Sequence, residues 1–172
     1  MAETLYDLKN RRAIRKYIPD PVKQEDLDAV LEAGLYAPTA RGLQRACIVV
    51  VRDKAQRDKL SELNRAVMGA DADPFYGAPM LLVVFGDGSW PQAVKDGSLI
   101  MGNLMNAAQA VGLGSCWIDR AVPVFESAEG QALKKKWGVP EEYVGVGHCI
   151  LGYPAETPAP KPRRENFIIY AD

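Results

Sequence analysis

The chain has 172 residues, 48% hydrophobic and 25% charged, with a formal net charge of −1. That describes one globular domain, residues 1–172, whose core needs neither disulfide nor metal. The near-zero charge excludes attraction to nucleic acid or a membrane by the overall field, so any bound anion must be held by a local cluster.

Cys47, Cys116 and Cys149 are odd in number and fall in no CxxC or zinc spacing. They read as free thiols of a reducing compartment. The opening MAETLYDLKNRR lacks the apolar run of a secretory signal, and no stretch approaches the ~20 apolar residues of a membrane span. A cytoplasmic location is expected.

In chain order, residues 3–10 suit a short helix, and the proline pair at 19 and 21 prevents any helix from continuing through that segment. Leu27, Val30, Leu31 and Leu35 share one helical face over 24–36, and residues 37–42 form a loop. Residues 46–52 (ACIVVVR) and 80–86 (MLLVVFG) read as buried strands, with a helix over 54–68 between them. Residues 96–111 form a helix apolar nearly all round, with small residues at Gly102, Ala107, Ala108 and Ala110, which suits a subunit interface. A short strand at 115–119, a helix over 126–137 and a long strand at 144–152 come next. Pro154, Pro158, Pro160 and Pro162 stiffen an arm ending in a small apolar strand, 167–170. That strand suits docking on a partner subunit or pairing within its own chain. The mixture without a regular βαβ series indicates an α+β fold.

Lys9, Arg11, Arg12, Arg15 and Lys16 crowd cations that repel one another unless an anion sits among them. Arginine forks match phosphate oxygens; the alternative is a solvated basic face. Lys161, Arg163 and Arg164 make a second cluster in the arm, either a soluble tail or the other half of one phosphate grip. The loop at 37–44 (APTARGLQ) offers a hydroxyl, a glycine and an amide, and GLGSCWIDR at 112–120 ends a helix and opens a strand. Either could be structural only. Gly86 and Gly88 lack the third glycine of a dinucleotide fingerprint, and the only histidine, His148, lies mid-strand as a core or interface residue. Cys116 reads as a small buried residue rather than a nucleophile.

Together these segments resemble the short-chain branch of the FMN-dependent nitroreductase family. RRAIRKY at 11–17 is similar to the family's RRSxRxF, and APTARGLQ at 37–44 to its APSxxNxQ loop. FYGAP at 75–79, GLGSCW at 112–117, and ILGYP at 150–154 leading to KPR at 161–163 also match, all in the family's order.

The resemblance implies an α+β fold with a central mixed β-sheet flanked by helices. It also implies an intertwined homodimer with an exchanged C-terminal arm, residues 153–172, and two FMN sites at the interface. By position, Arg11, Arg12, Ala13 and Arg15 would hold the FMN phosphate and the pyrimidine end of the ring. Lys161 and Arg163 would close on the phosphate, while Pro38, Thr39, Ala40 and Gly42 would come from the other subunit. Trp117, Ile118 and Asp119 would lie along the isoalloxazine, with a backbone N–H of this stretch directed at N5. Asn64 would make a polar contact to the ring. Ala13 stands where the family has serine, and Gly42 where it often has asparagine.

The implied activity passes hydride from NADH or NADPH through FMN to electron-poor acceptors such as nitroaromatics or quinones, by a ping-pong cycle without a protein nucleophile. Alternatives are reductive dehalogenation on the same scaffold, a non-catalytic flavin sensor or electron store, and a phosphate-ligand module without flavin.

Overall fold

A four-stranded antiparallel sheet divides the apolar residues of the chain into two cores. The computed structural model describes residues 3–171, so the outermost ends of a 1–172 domain lie outside it. The strands are β1 Ala46–Val51, β2 Met80–Asp87, β3 Gly114–Ile118 and β4 Tyr143–Gly152, in the order β1-β2-β4-β3. Side chains alternate across a strand, so Leu82 and Val84 enter one core while Leu81, Val83 and Phe85 enter the other.

The first core is covered by α2 Gln24–Leu35 and α4 Ala93–Ala110, through Leu27, Val30, Met101 and Leu104. The second is covered by α3 Lys54–Met68, α5 Ala121–Glu126 and α6 Ala128–Trp137, through Leu60, Val124, Phe125 and partly buried Leu133. The N-terminal helix α1, Glu3–Asn10, packs on α4.

Several expectations are corrected. The sheet was expected to be mixed, yet all its ladders are antiparallel; the parallel contact is an isolated bridge between Ala13 and Ser115. The strand at 46–52 was expected to be buried, but β1 is an edge strand in which only Val51 is buried. Its β-branched composition reports strand preference and not position in the sheet. The helix expected over 126–137 is α6, which begins at Ala128, and a short helix that was not expected, α5, precedes it; Ser127 separates the two, its extended backbone letting its hydroxyl accept from the Gly130 N–H at 3.0 Å. Pro123 sits in the first turn of α5, where no donor is needed. Residues 167–170 form no strand within the chain: Phe167, Ile168, Ile169 and Tyr170 are 70–86% exposed. The face of α4 at Val94 and Leu99 is also exposed, as is Leu35, so α2 and α4 are not covered all round.

The turn before β2 is built on one carboxylate. Asp73 accepts from the N–H groups of Phe75 (2.9 Å) and Gly77 (2.7 Å), from Ser61 Oγ (2.6 Å) and from Arg57 Nη2 (2.5 Å). Partial burial raises its pKa, but these donors outweigh it and hold the carboxyl at about 2. The stabilisation is therefore complete above the unfolded value of ~3.9 and lost as pH falls toward about 2. Asp73→Asn is expected to cost about 1–2 kcal/mol at pH 7, after allowance for solvent at a carboxylate that is one-third exposed. Urea unfolding at pH 7 and pH 3 checks this: the difference between wild type and variant should shrink at the lower pH.

Candidate functional site

The basic N-terminal segment lies along the β3 edge of the sheet. Ile14 N donates to Ser115 O at 3.0 Å, Ile18 N to Tyr153 O at 3.0 Å, and Ala155 N to Lys16 O at 2.9 Å. Ile14 is buried against Gly114, where a β-carbon would stand 2.9 Å from Ile14 Cγ2. With Ile14 turned inward, Arg15 is exposed; its backbone N–H donates to Glu156 Oε1 at 2.6 Å and its guanidinium sits 5.8 Å from the Tyr76 ring. Ala13 is half-buried against the second core.

Burial pushes the Cys116 thiol up, and the opposing influence comes from Arg15 and Arg11, which places both charges near this strand. A buried, protonated thiol here is a poor nucleophile. Arg12 goes elsewhere. Its Nη1 donates to the Lys9 and Arg11 carbonyls at 2.8 Å, and among the described residues its buried Nε has no partner. It lines a cavity of about 470 Å³ with Tyr6, Asn10 and Gln109, to which neither Arg11 nor Arg15 contributes.

The chain leaving β3 makes a tight turn. Its indole laid over Gly147, Trp117 is half-buried on the α4 face, while the Ile118 side chain is buried in the opposite core and offers only backbone outward. Asp119 is exposed, and Arg120 takes a left-handed conformation with φ 71°. Both carbonyls of the turn point inward: Ile118 O lies 3.3 Å from His148 Nδ1, and Asp119 O accepts from Asn64 Nδ2 at 2.8 Å. In a trans peptide the following N–H points opposite to the carbonyl. The N–H groups of Asp119 and Arg120 therefore face away from the core, and among the described residues neither donates a hydrogen bond. Asn64 is fully buried and its carbonyl oxygen accepts from Arg120 Nε at 2.9 Å, so its amide braces the turn from beneath.

The loop at 37–44 is anchored at the far end of α4. Ala40 N donates to Asp96 Oδ1 at 2.9 Å, Trp90 Nε1 to Asp96 Oδ2 at 3.2 Å, and Gln44 N to Thr39 Oγ1 at 3.1 Å. Pro38 and Gly42 are exposed, and Gly42 (φ 64°) has nothing within 4 Å of a β-carbon. Arg12 shares its cavity with Gln109, and at 1.5 Å per residue Asp96 and Gln109 stand about 20 Å apart along the helix. Within the chain, the 38–42 loop and Arg12 therefore occupy opposite ends of α4.

Lys161 and Arg163 are exposed in the arm, and among the described residues no hydrogen bond or ion pair joins them to residues 11–15. Thus the structure brings together residues 11–15 with 115–120, Asn64 and the start of the arm at 153–156, and leaves the 38–42 loop and the cationic end of the arm, Lys161 and Arg163, apart. Sequence reasoning missed Asp96, Arg120 and the use made of His148. An acidic residue in a helix's first turn reads as a dipole partner, so Asp96 carried no signal of anchoring a loop. Among the described residues, no group of histidine, cysteine and carboxylate side chains could hold a metal, and no helix is long and apolar enough to cross a membrane.

Comparison with known proteins places this arrangement. The FMN reductase (NAD(P)H) of Bacillus subtilis is 28% identical over 181 residues, covering 95% of this chain and 70% of that protein. An iodotyrosine deiodinase of Thermotoga neapolitana is 28% identical over 192 residues, 96% of this chain and 97% of its own length. A crystal structure of a nitroreductase with bound FMN from Bacteroides fragilis superposes with a TM-score of 0.90 at 27% identity, both chains covered in full. The profile of the nitroreductase family matches residues 8–72 and 65–153, spanning α2, the arginine segment and all four strands, and the chain belongs to that family.

Proposed function

We propose that the protein is an FMN-dependent oxidoreductase that takes electrons from NADH or NADPH and reduces electron-poor acceptors such as nitroaromatics or quinones. The observation that carries this reading is the pair of outward N–H groups at Asp119 and Arg120, beside the strip bearing Arg11 and Arg15. Unpaired donors next to cations suit a planar, electron-accepting ring with an anionic tail. Bound there, FMN supplies the hydride chemistry. The chain's own residues bind and orient: Arg11 and Arg15 hold the phosphate and the pyrimidine end, Ala13 contributes backbone, and the 117–119 stretch lies along the ring. Arg12 supports this strip by tying its start to α1. Asn64 holds the turn. No nucleophile is required, which agrees with the burial of Cys116. Donor and acceptor use one site in turn, since no dinucleotide fingerprint exists beside it.

The site is completed by a second copy. Pro38, Thr39, Ala40 and Gly42 lie about 20 Å of helix from the arginines of their own protomer, a separation that a two-fold partner removes. The arm of residues 153–172 is rooted on its own chain at Tyr153, Ala155 and Glu156 and crosses to the partner beyond that point, bringing Lys161 and Arg163 to the phosphate. Edge strand β1 and α2 flank an apolar groove of about 420 Å³ lined by Leu31, Leu35, Ala46, Ile48 and Val50. An open edge beside an apolar groove accepts an added strand, and Phe167 to Tyr170 supply one of the right character.

The test is anaerobic addition of NADH or NADPH to the yellow protein, followed by an acceptor. Bleaching within seconds and recovery with a nitroaromatic or quinone support the reading; a band that neither nucleotide bleaches indicates a flavin sensor or store. A reductive dehalogenase is the second reading, favoured by the likeness to the deiodinase over nearly its whole length. Faster recovery with halogenated phenols than with nitroaromatics would select it.

A further inference from the structure

His148 is the only histidine of the chain, is fully buried in β4, and is assigned no role by the family resemblance. Its ring lies 5.4 Å from Phe75 and 5.8 Å from Phe125, the latter stacked. Nδ1 faces Ile118 O at 3.3 Å, and among the described residues the buried Nε2 has no partner. An imidazole here costs more than an apolar side chain of similar size would, because one polar atom goes unsatisfied. A group retained at that cost is a candidate for positioning something else.

We infer that His148, in its neutral form with the proton on Nδ1, is a positioning residue that clamps the Ile118 carbonyl inward and thereby aims the Asp119 N–H outward at the bound ring. The inference rests on the proposed flavin site and adds to it the means by which the donor is held. Ile118 is the last residue of the β3–β4 ladder, opposite His148, so the ring adds its hold on the Ile118 carbonyl where strand pairing ends; that carbonyl and the N–H of Asp119 belong to one rigid peptide plane, so fixing the first fixes the second. Asn64 does the same for the next plane through Asp119 O. The two buried groups hold successive peptides from the core side. Burial, the largest influence, lowers the His148 pKa to about 4 against the raising effect of the carbonyls, so the imidazole stays uncharged through the physiological range. A neutral ring can donate from Nδ1 only by leaving Nε2 bare, which matches the unpartnered Nε2.

Two measurements on the untagged full-length protein test this. With a single histidine, detection of its ring nitrogens by ¹⁵N–¹H NMR needs no assignment, and at pH 6 it should show a neutral ring protonated on Nδ1. A charged ring, or a proton on Nε2, overturns the inference, and this readout holds whether or not FMN binds. In the FMN-loaded protein, His148→Leu should weaken binding of oxidised FMN about tenfold while leaving reduced FMN unchanged, raising the two-electron potential by about 30 mV. His148→Asn, whose amide can reach the Nδ1 position, should restore the wild-type potential. An unchanged potential in His148→Leu overturns the inference. If that variant does not fold, His148→Gln, whose amide lies nearer the Nε2 position, should show the shift that His148→Asn lacks; equal potentials in the two overturn it. Failure of the wild type to bind FMN at all would fall on the flavin site, a result separate from the NMR outcome.

Discussion

Arg15→Glu is expected to give a colourless protein that is still folded. The guanidinium is exposed, and among the described residues it takes part in no ion pair; its one partner is the face of Tyr76 at 5.8 Å. The segment is held by backbone bonds from Ile14, Ile18 and Ala155, which the substitution leaves intact. Stability should therefore change by no more than about 0.5 kcal/mol, as for other exposed positions. The cofactor fares differently. Loss of a charge-assisted hydrogen bond to phosphate costs about 1.5–3 kcal/mol, and an anion placed against it adds about 1 kcal/mol of repulsion. Together that weakens FMN binding several hundredfold. The absorbance ratio of the purified variant near 450 and 280 nm, with a thermal melt, reads both effects; a yellow variant refutes the role given to Arg15.

The arm should matter as much to assembly. Phe167 and Ile169 lie two residues apart, on one face of any strand they form, and are 80% and 86% exposed within the protomer. Burying such side chains yields about 1.5–3 kcal/mol each, and a two-fold dimer uses both arms. The double variant Phe167→Asp, Ile169→Asp should thus remove roughly 8 kcal/mol from association and give a monomer in sedimentation, with loss of bound FMN. A dimer that persists and stays yellow would place the interface elsewhere, on the exposed face of α4 for example.

Both predictions draw on features visible in the linear sequence. Local periodicity carried the helices: residues 3–10 and 54–68 were expected as helical, and α1 and α3 have those bounds. The strands were legible for the same reason, since apolar runs between turn residues have few other uses. Position in the sheet was not legible. β1 and β2 have similar composition, yet one is an open edge and the other is buried from Met80 to Gly86, because neighbours distant in sequence decide it. Pro123 hid α5 because a proline tolerated in a first turn resembles one that ends a helix.

The site divides in the same way. Its basic and glycine-bearing segments were visible as motifs. Contacts joining residues far apart in the chain were not: Asp96 to Ala40, Asn64 to Asp119 and His148 to Ile118 each cross at least thirty positions. A lone buried histidine reads from sequence as filling for the core. Only the distance from its ring to a particular carbonyl gives it a further part. The arginine cluster looked like one group of charges, whereas the backbone at 11–15 turns Arg12 into a cavity that Arg15, exposed to solvent, does not line.

Native mass spectrometry of the protein with excess FMN measures subunit number and cofactor number at once. The account predicts one dominant species with the mass of two chains and two FMN molecules. A single chain, or a dimer carrying no FMN, would contradict it.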